Sequence, residues 1–437
     1  MEILVYGVDW LLRSVGLTTG QETFDVASED QLIVTICGGG NGAHIMAGLA
    51  ASRPGIEVRV LTLYRDEAEQ WTTAMAEGNF SVFIKGGGIR GENVELTADP
   101  FTVSKDPREV IPGTHIIIFT VPAYCHEDYF KAIEPYIGPV STIIGLPGVN
   151  GFEFQLRGIL KEKSDLCTVI DFETLPWVSR IREYGRAVDL LATRETIDGA
   201  VHLPRKPSAF HHNHLASFQY MLGDNPELEI KGHLLAVTLM APNAIAQPTI
   251  MYGQWRDWEG VPVEESPLFF HGVSTATVEL LSHVSEEVVS ISREIMAQSP
   301  KTDLSSVKHI YNWYLATFQN DILDKTNLMT ALKTNKAYDG LRHPCLKTAE
   351  GKYMPNFQHR YLREDIPFGM AVVKGIADIV GVETPSMDKV LYWAQQSLGK
   401  EFVVNGRLVG RDVRETRAPQ RYGLTSLREI LKENVTN

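Results

Sequence analysis

The stretch Leu32-Ile33-Val34-Thr35-Ile36-Cys37-Gly38-Gly39-Gly40-Asn41-Gly42-Ala43-His44 decides the fold. An apolar run of strand length ends in glycines, and Ile45, Met46, Leu49 and Ala50 then recur at helical spacing. This predicts a strand–turn–helix unit, and Gly38-x-Gly40-x-x-Ala43 fits the dinucleotide-binding pattern. Gly38 permits the tight turn, Gly40 lets backbone approach a pyrophosphate, and small Ala43 lets helix pack on strand. The helix start then turns unpaired N–H groups and a positive dipole end towards phosphates. Gly38, Gly40, Asn41, Gly42 and Ala43 are the expected contacts of a nicotinamide or flavin dinucleotide. The plainer alternative is a structural glycine turn.

Outward from this turn, the first half alternates strands and helices. Val58–Leu63, His115–Val121, Thr142–Leu146 and Leu166–Phe172 read as strands, and 66–77 as a helix. Ser81–Lys85 and Val94–Thr97 suggest an inserted β-hairpin. The second half reads as helices at His233–Tyr252, Ala276–Gln298, Asp303–Leu323 and Pro385–Leu398. In the second of these, Val278, Leu281, Val284, Val288, Ile291 and Ile295 form one apolar stripe, read as core. The expectation is an α/β N-terminal Rossmann domain (32–228) followed by an all-α C-terminal domain (229–437), with the active site in the cleft between them. Residues 1–31 are expected to form an appended arm, helical in part from Val8 to Val15. That arm has neither the basic start nor the apolar core of a secretory signal.

Bulk composition narrows the function. The 437 residues exceed one ordinary core. Forty-one basic against 54 acidic residues give a net charge of −13 with no basic tract, which disfavours nucleic acid and anionic membrane as partners. No stretch is read as a membrane span. Cys37, Cys125, Cys167 and Cys345 are far apart and read as buried thiols of a reducing, cytoplasmic compartment.

Several motifs in order make the chain resemble one family. They are the glycine turn through His44, Leu61-Thr62-Leu63, Thr120-Val121-Pro122-Ala123, Phe172-Glu173-Thr174-Leu175-Pro176-Trp177 and Arg360-Tyr361-Leu362-x-Glu364-Asp365-Ile366-Pro367. The chain resembles the octopine/opine dehydrogenase family, marine-invertebrate branch, from about Leu32 to Pro419-Gln420-Arg421-Tyr422-Gly423. The resemblance implies NADH-dependent condensation of an oxo acid, usually pyruvate, with the amino group of an amino acid, restoring NAD when oxygen is scarce. Octopine, alanopine, strombine or tauropine would be the product. It is compatible with a monomer.

The resemblance also assigns roles. It places Asp365 in the acid/base machinery and Arg360 at the cofactor phosphates or closing cleft; for each the plainer reading is a surface ion pair. Val121 and Pro122 stand on the strand-end rim where a cofactor sits. The family places a histidine directly before a proline on the first long helix of the second domain, paired with the aspartate. Here Gln247 precedes Pro248. An amide donates a hydrogen bond but does not shuttle a proton. His126 is the expected substitute, weighed against a structural histidine, with His343 behind it. His211, His212 and His214 read as a loop cluster, with no metal site expected.

Thr174, Ser179 and Asn150 are expected to line the substrate site. Val149, Ser179 and Gln247 depart from what octopine-forming enzymes carry, which points to taurine, glycine or alanine as the amine donor. Arginine is the alternative, and a catalytically silent NADH-binding protein a further one. At the end of the second strand, Thr62-Leu63-Tyr64-Arg65 holds no acid and the first is Asp66. Arg65 could meet a 2′-phosphate, favouring NADP, or stack on adenine. The resemblance favours NAD.

Overall fold

A computed structural model describes residues 31–87, 91–99, 101–138, 141–204 and 209–432. Residues 1–30 of the expected arm, with its Val8–Val15 helix, lie outside them. Packing divides the described chain into two compact units. One comprises the chain up to Pro147 with Leu160–Lys231, the other Gly148–Ile159 with the chain from Gly232 onward.

The first unit holds strands β1 (Leu32–Cys37), β2 (Ile56–Leu61), β3 (Phe80–Ile84), β4 (Val94–Ala98), β5 (Thr102–Ser104), β6 (Ile116–Phe119), β7 (Thr142–Gly145), β8 (Thr168–Phe172), β9 (Trp177–Glu183), β10 (Ala187–Thr193), β11 (Thr196–His202) and β12 (Glu227–Ile230). Six of them run parallel in the order β5-β2-β1-β6-β7-β8, and β11 closes antiparallel on β8 with β12 beside it. The apolar runs follow from this: Ile116–Phe119 and Thr142–Gly145 are buried throughout, as strands covered on both faces must be. Strand order reverses at β1, so the crevice for a ligand opens at the carboxyl end of β1, at the glycine turn.

The expected hairpin is present as β3–β4, but it belongs to a second sheet of order β4-β3-β10-β9. Strands β9 to β11 have no counterpart among the expected strands: in β9 the buried face carries polar Ser179 beside Trp177 and the exposed face carries apolar Val178 beside Arg180, so hydrophobicity does not follow the alternation. Helix Asn41–Ala51 packs against both sheets and is buried from Gly42 to Ala51. Its small residues are thereby explained: a Cβ on Gly48 would lie 2.4 Å from Val82 Cγ2.

In the second unit, the stripe from Val278 to Ile295 on helix Thr275–Gln298 is core, as expected. The Glu287 carboxylate on this helix accepts the N–H groups of Ser386 (2.7 Å) and Met387 (2.9 Å), capping helix Pro385–Leu398. Three readings change here. The expected helix His233–Tyr252 is two, Leu234–Leu239 and Pro242–Trp255, broken at Met240-Ala241 just before Pro242. Together they are long and apolar enough to cross a membrane, contrary to the sequence reading, yet most of this stretch is buried inside the unit as core. Of Asp303–Leu323, only Ile310–Thr317 is helical.

The expected boundary at 228 falls within β12, and Gly148–Ile159, expected in the first domain, packs in the second unit. Phe154 of that segment is fully buried in the helical core.

Candidate active site

The glycine turn is built as its sequence requires. Gly38 adopts φ +135°, and a Cβ there would stand 3.0 Å from Thr120 Oγ1 and Val121 Cγ1, so only glycine fits. Thr120 ties the turn to the neighbouring strand, its hydroxyl donating to the Cys37 carbonyl at 3.0 Å. Above Gly40 nothing lies within 4 Å of a Cβ position, and Gly40 caps the helix with no side chain on its N–H groups. That is an open backbone cradle of the kind a pyrophosphate uses. Asn41 does a different job: its Oδ1 accepts the Ile181 N–H at 2.8 Å, fixing the helix start to β9. Gly42 and Ala43 are buried at the packing surface.

His44, also within the motif, braces the turn. Its Nε2 accepts the Gly185 N–H at 3.0 Å, so Nδ1 carries the proton and donates to Gly40 O at 3.1 Å. The ring stacks on Trp71 at 3.7 Å, and burial holds its pKa down at about 4.

Beyond β2 the three polar residues part company. Arg65 is exposed, in the left-handed region at φ +45°, with its guanidinium over the Tyr64 ring at 5.0 Å. Asp66 takes the Gln70 side-chain amide at 2.7 Å. Glu67 turns back: its Oε2 accepts the buried Thr62 hydroxyl at 2.6 Å and would lie 1.9 Å from a Cβ on Gly39. The acid beside the glycine turn is therefore Glu67, two positions past Arg65.

His126, His214 and His343 are buried. His126 opens helix His126–Ile133 on the expected rim after Val121 and Pro122, but it is fully buried. Its Nε2 pairs with Val121 O at 2.9 Å and its ring meets Phe119 edge-on, which corrects the expectation of a proton donor there. His343 accepts the Trp255 indole N–H at 3.1 Å, and burial lowers its pKa to about 4. His211, His212 and His214 sit on helix Ala209–Leu222, not in a loop, and buried His214 pairs with Thr142 Oγ1. Among the described residues no cluster could hold a metal ion.

In the second unit a π-helical turn, Ile366–Met370, follows Asp365. Asp365 is buried and its Oδ2 has no hydrogen-bond partner. Desolvation first, and the nearby Glu364 charge second, hold its carboxyl well above the usual carboxylate range, partly opposed by Arg360. Arg360 itself is largely exposed and pairs with Glu364 at 3.2 Å. The turn packs on helix Pro242–Trp255, and a Cβ on Gly369 would lie 2.6 Å from Ala244 Cβ and 3.6 Å from Asn150 Oδ1. Gln247, three residues on from Ala244, shares that helix face and is half-buried. The fold thus gathers Asn150, the Gln247 face and the turn that carries Asp365.

Asn150 is held rigidly, donating to the Thr238 carbonyl at 2.5 Å. Thr174 is half-buried in the link from β8 to β9. Ser179 stands apart from Asn150 in sequence and partners, its hydroxyl reaching Asn41 O at 3.4 Å beside the glycine helix. Two buried groups outside the expected site brace these residues, Arg417 at the turn and Glu153 behind the Thr238 that holds Asn150. Arg417 is fully buried, donates from Nη2 to Gly148 O at 3.0 Å and from its backbone to Pro367 O at 3.1 Å. Glu153, its pKa pushed up to about 7 by burial, receives the Thr238 hydroxyl. Neither lies in a periodic pattern that would have marked it.

Gly369→Ala tests this packing. The added methyl meets a backbone-anchored methyl on Ala244, and relief displaces the turn, at a cost of about 1–3 kcal/mol. We expect lower turnover and melting temperature, both partly restored by adding Ala244→Gly. Unchanged turnover in Gly369→Ala would show that the turn's position is not critical.

A backbone cradle at the reversal point of a parallel sheet defines a dinucleotide-binding fold. Residues 230–398 match the family described as NAD/NADP octopine/nopaline dehydrogenase, alpha-helical domain. Tauropine dehydrogenase of Arabella iricolor is 44% identical over 400 residues, 92% of this chain and 100% of the relative. Octopine dehydrogenase of Pecten maximus is 44% identical over 398 residues, 91% of this chain and 98% of the relative. The structure of octopine dehydrogenase with NADH and L-arginine matches with a TM-score of 0.87 and 43% identity, covering 93% of this chain and 99% of that one. The chain belongs to the opine dehydrogenase family.

Proposed function

We propose that this protein is an NADH-dependent opine dehydrogenase that condenses pyruvate with taurine, glycine or alanine. The observation that carries the chemistry is Asp365: a buried carboxyl whose Oδ2 is unpartnered and whose environment favours the protonated form. Addition of the amine to the oxo acid gives a carbinolamine, which must lose water. Asp365 donates the proton that lets the hydroxyl leave, yielding an iminium ion, and then regains one from solvent. NADH, when bound, supplies the hydride that reduces that carbon; the open backbone at Gly40 and the uncapped N–H groups at the start of helix Asn41–Ala51 would hold its pyrophosphate.

Gln247 cannot replace the family's histidine as a proton carrier, but its amide can donate a hydrogen bond to the carbinolamine oxygen. Asn150 and Thr174 are the candidate polar contacts for the oxo acid. Support for a small amine comes from Val149, Ser179 and Gln247, the departures from the octopine-forming pattern; identity to the tauropine and octopine relatives is the same 44% and does not separate the amines.

NADH consumption with pyruvate and, separately, taurine, glycine, alanine and arginine tests the reading. Turnover with one of the first three is expected. Turnover with arginine alone would replace it by octopine formation, and NADH binding without turnover on any amine would leave a binding protein.

A further inference from the structure

We propose that Glu67 is the residue that reads the adenosine ribose of NADH and turns away the 2′-phosphate of NADPH. The inference rests on the nicotinamide cofactor assigned above, and not on the identity of the amine. In a sheet of this order the ribose of a bound dinucleotide lies at the carboxyl end of β2, next to the glycine turn, and a carboxylate there accepts its hydroxyls.

No acid occupies the residues directly after β2, where sequence reading looks for one. The structure supplies it from the first turn of helix Glu67–Ala76. Buried Thr62, one residue past β2, holds Glu67 Oε2 at 2.6 Å. The same oxygen lies so close over Gly39 that a Cβ there would sit 1.9 Å from it, so Gly39 is the gap through which the carboxylate reaches the turn. One oxygen is thus fixed by a short hydrogen bond, leaving the other for a hydroxyl donor.

The neighbouring groups do not compete for this place. Asp66 is engaged with Gln70 at 2.7 Å, and the Arg65 guanidinium lies over the exposed Tyr64 ring. Lys105 is drawn to the Arg65 carbonyl at 2.7 Å. A 2′-hydroxyl can donate to a carboxylate. A 2′-phosphate has no comparable proton to give and carries a charge of about −1.5 to −2 near neutral pH, so it is repelled at the same point.

The test measures NADH and NADPH dissociation constants by nucleotide fluorescence on the full chain, with no pyruvate or amine present. Glu67→Gln keeps the side chain's length and an oxygen for the Thr62 hydroxyl. We expect NADH affinity to fall by about 10-fold, the loss of a hydrogen bond to a charged group. NADPH affinity should rise in the same variant by about 10-fold or more as the repulsion is removed. Opposite movements of the two constants support the proposal, since a merely structural residue would weaken both. Constants that move together, or do not move, overturn it. A parent protein that binds neither nucleotide would overturn the cofactor assignment itself, a result distinct from both.

Discussion

Asp365→Asn is expected to lower turnover with pyruvate and the preferred amine by about 10²–10⁴-fold, while NADH affinity stays close to that of the parent. The amide keeps the size of the carboxyl and has no acidic proton to give to a departing hydroxyl. Stability should move the other way. Burial and the Glu364 charge raise the Asp365 pKa well above the ordinary 3.8. Between 3.8 and the raised value, the folded chain keeps a proton that the unfolded chain has released. The stabilising contribution is therefore complete below 3.8 and is lost as pH rises through the folded value. Asparagine does not titrate, so the melting temperature of the variant should gain on the parent as pH rises from about 4 to 8. Unchanged turnover would remove Asp365 from the proton path. A melting difference flat with pH would show that its carboxyl titrates as if exposed.

Gly38→Ala should weaken NADH binding by about 10–100-fold, the equivalent of about 1–3 kcal/mol of local backbone strain. At φ +135° an L side chain is strained whatever the space, and here the methyl also meets Thr120 and Val121 at 3.0 Å. Relief comes from moving the turn, which opens the cradle at Gly40. Gly55 provides the control: it too has positive φ, at +80°, but with nothing within 4 Å of a Cβ. Gly55→Ala should cost some stability and leave NADH affinity unchanged. Equal losses in the two variants would mean that strain alone, and not the shape of the turn, governs binding. Gly369→Ala should by contrast lower turnover without weakening NADH.

The sheet was legible because parallel strands buried on both faces write themselves as unbroken apolar runs, as Ile116–Phe119 does. The stripe on helix Thr275–Gln298 was legible for a related reason: one buried face imposes its period. Strands β9 to β11 were not, since exposed Val178 and Leu191 and charged Arg180 and Arg182 blur the alternation. His126 and His343 looked chemical in sequence because an imidazole carries the same letter in a core as in a site. Only their partners, Val121 O and the Trp255 indole, mark them as structural.

By itself, the sequence determined the dinucleotide turn, the parallel sheet behind it, the helical second half and the glutamine standing before Pro248. These are local matters: glycine placement, strand and helix periodicity, and the identity of single residues. Tertiary structure alone decided which groups meet. It brought Glu67, rather than Arg65 or Asp66, over Gly39. It set Gly148–Ile159 with the helical unit, and seated the turn after Asp365 on Ala244 under the hold of Arg417. Such meetings depend on side-chain direction and on contacts between residues far apart in the chain, and no spacing along the chain encodes them. The protonation of Asp365 belongs with them, since desolvation arises from everything packed around a group.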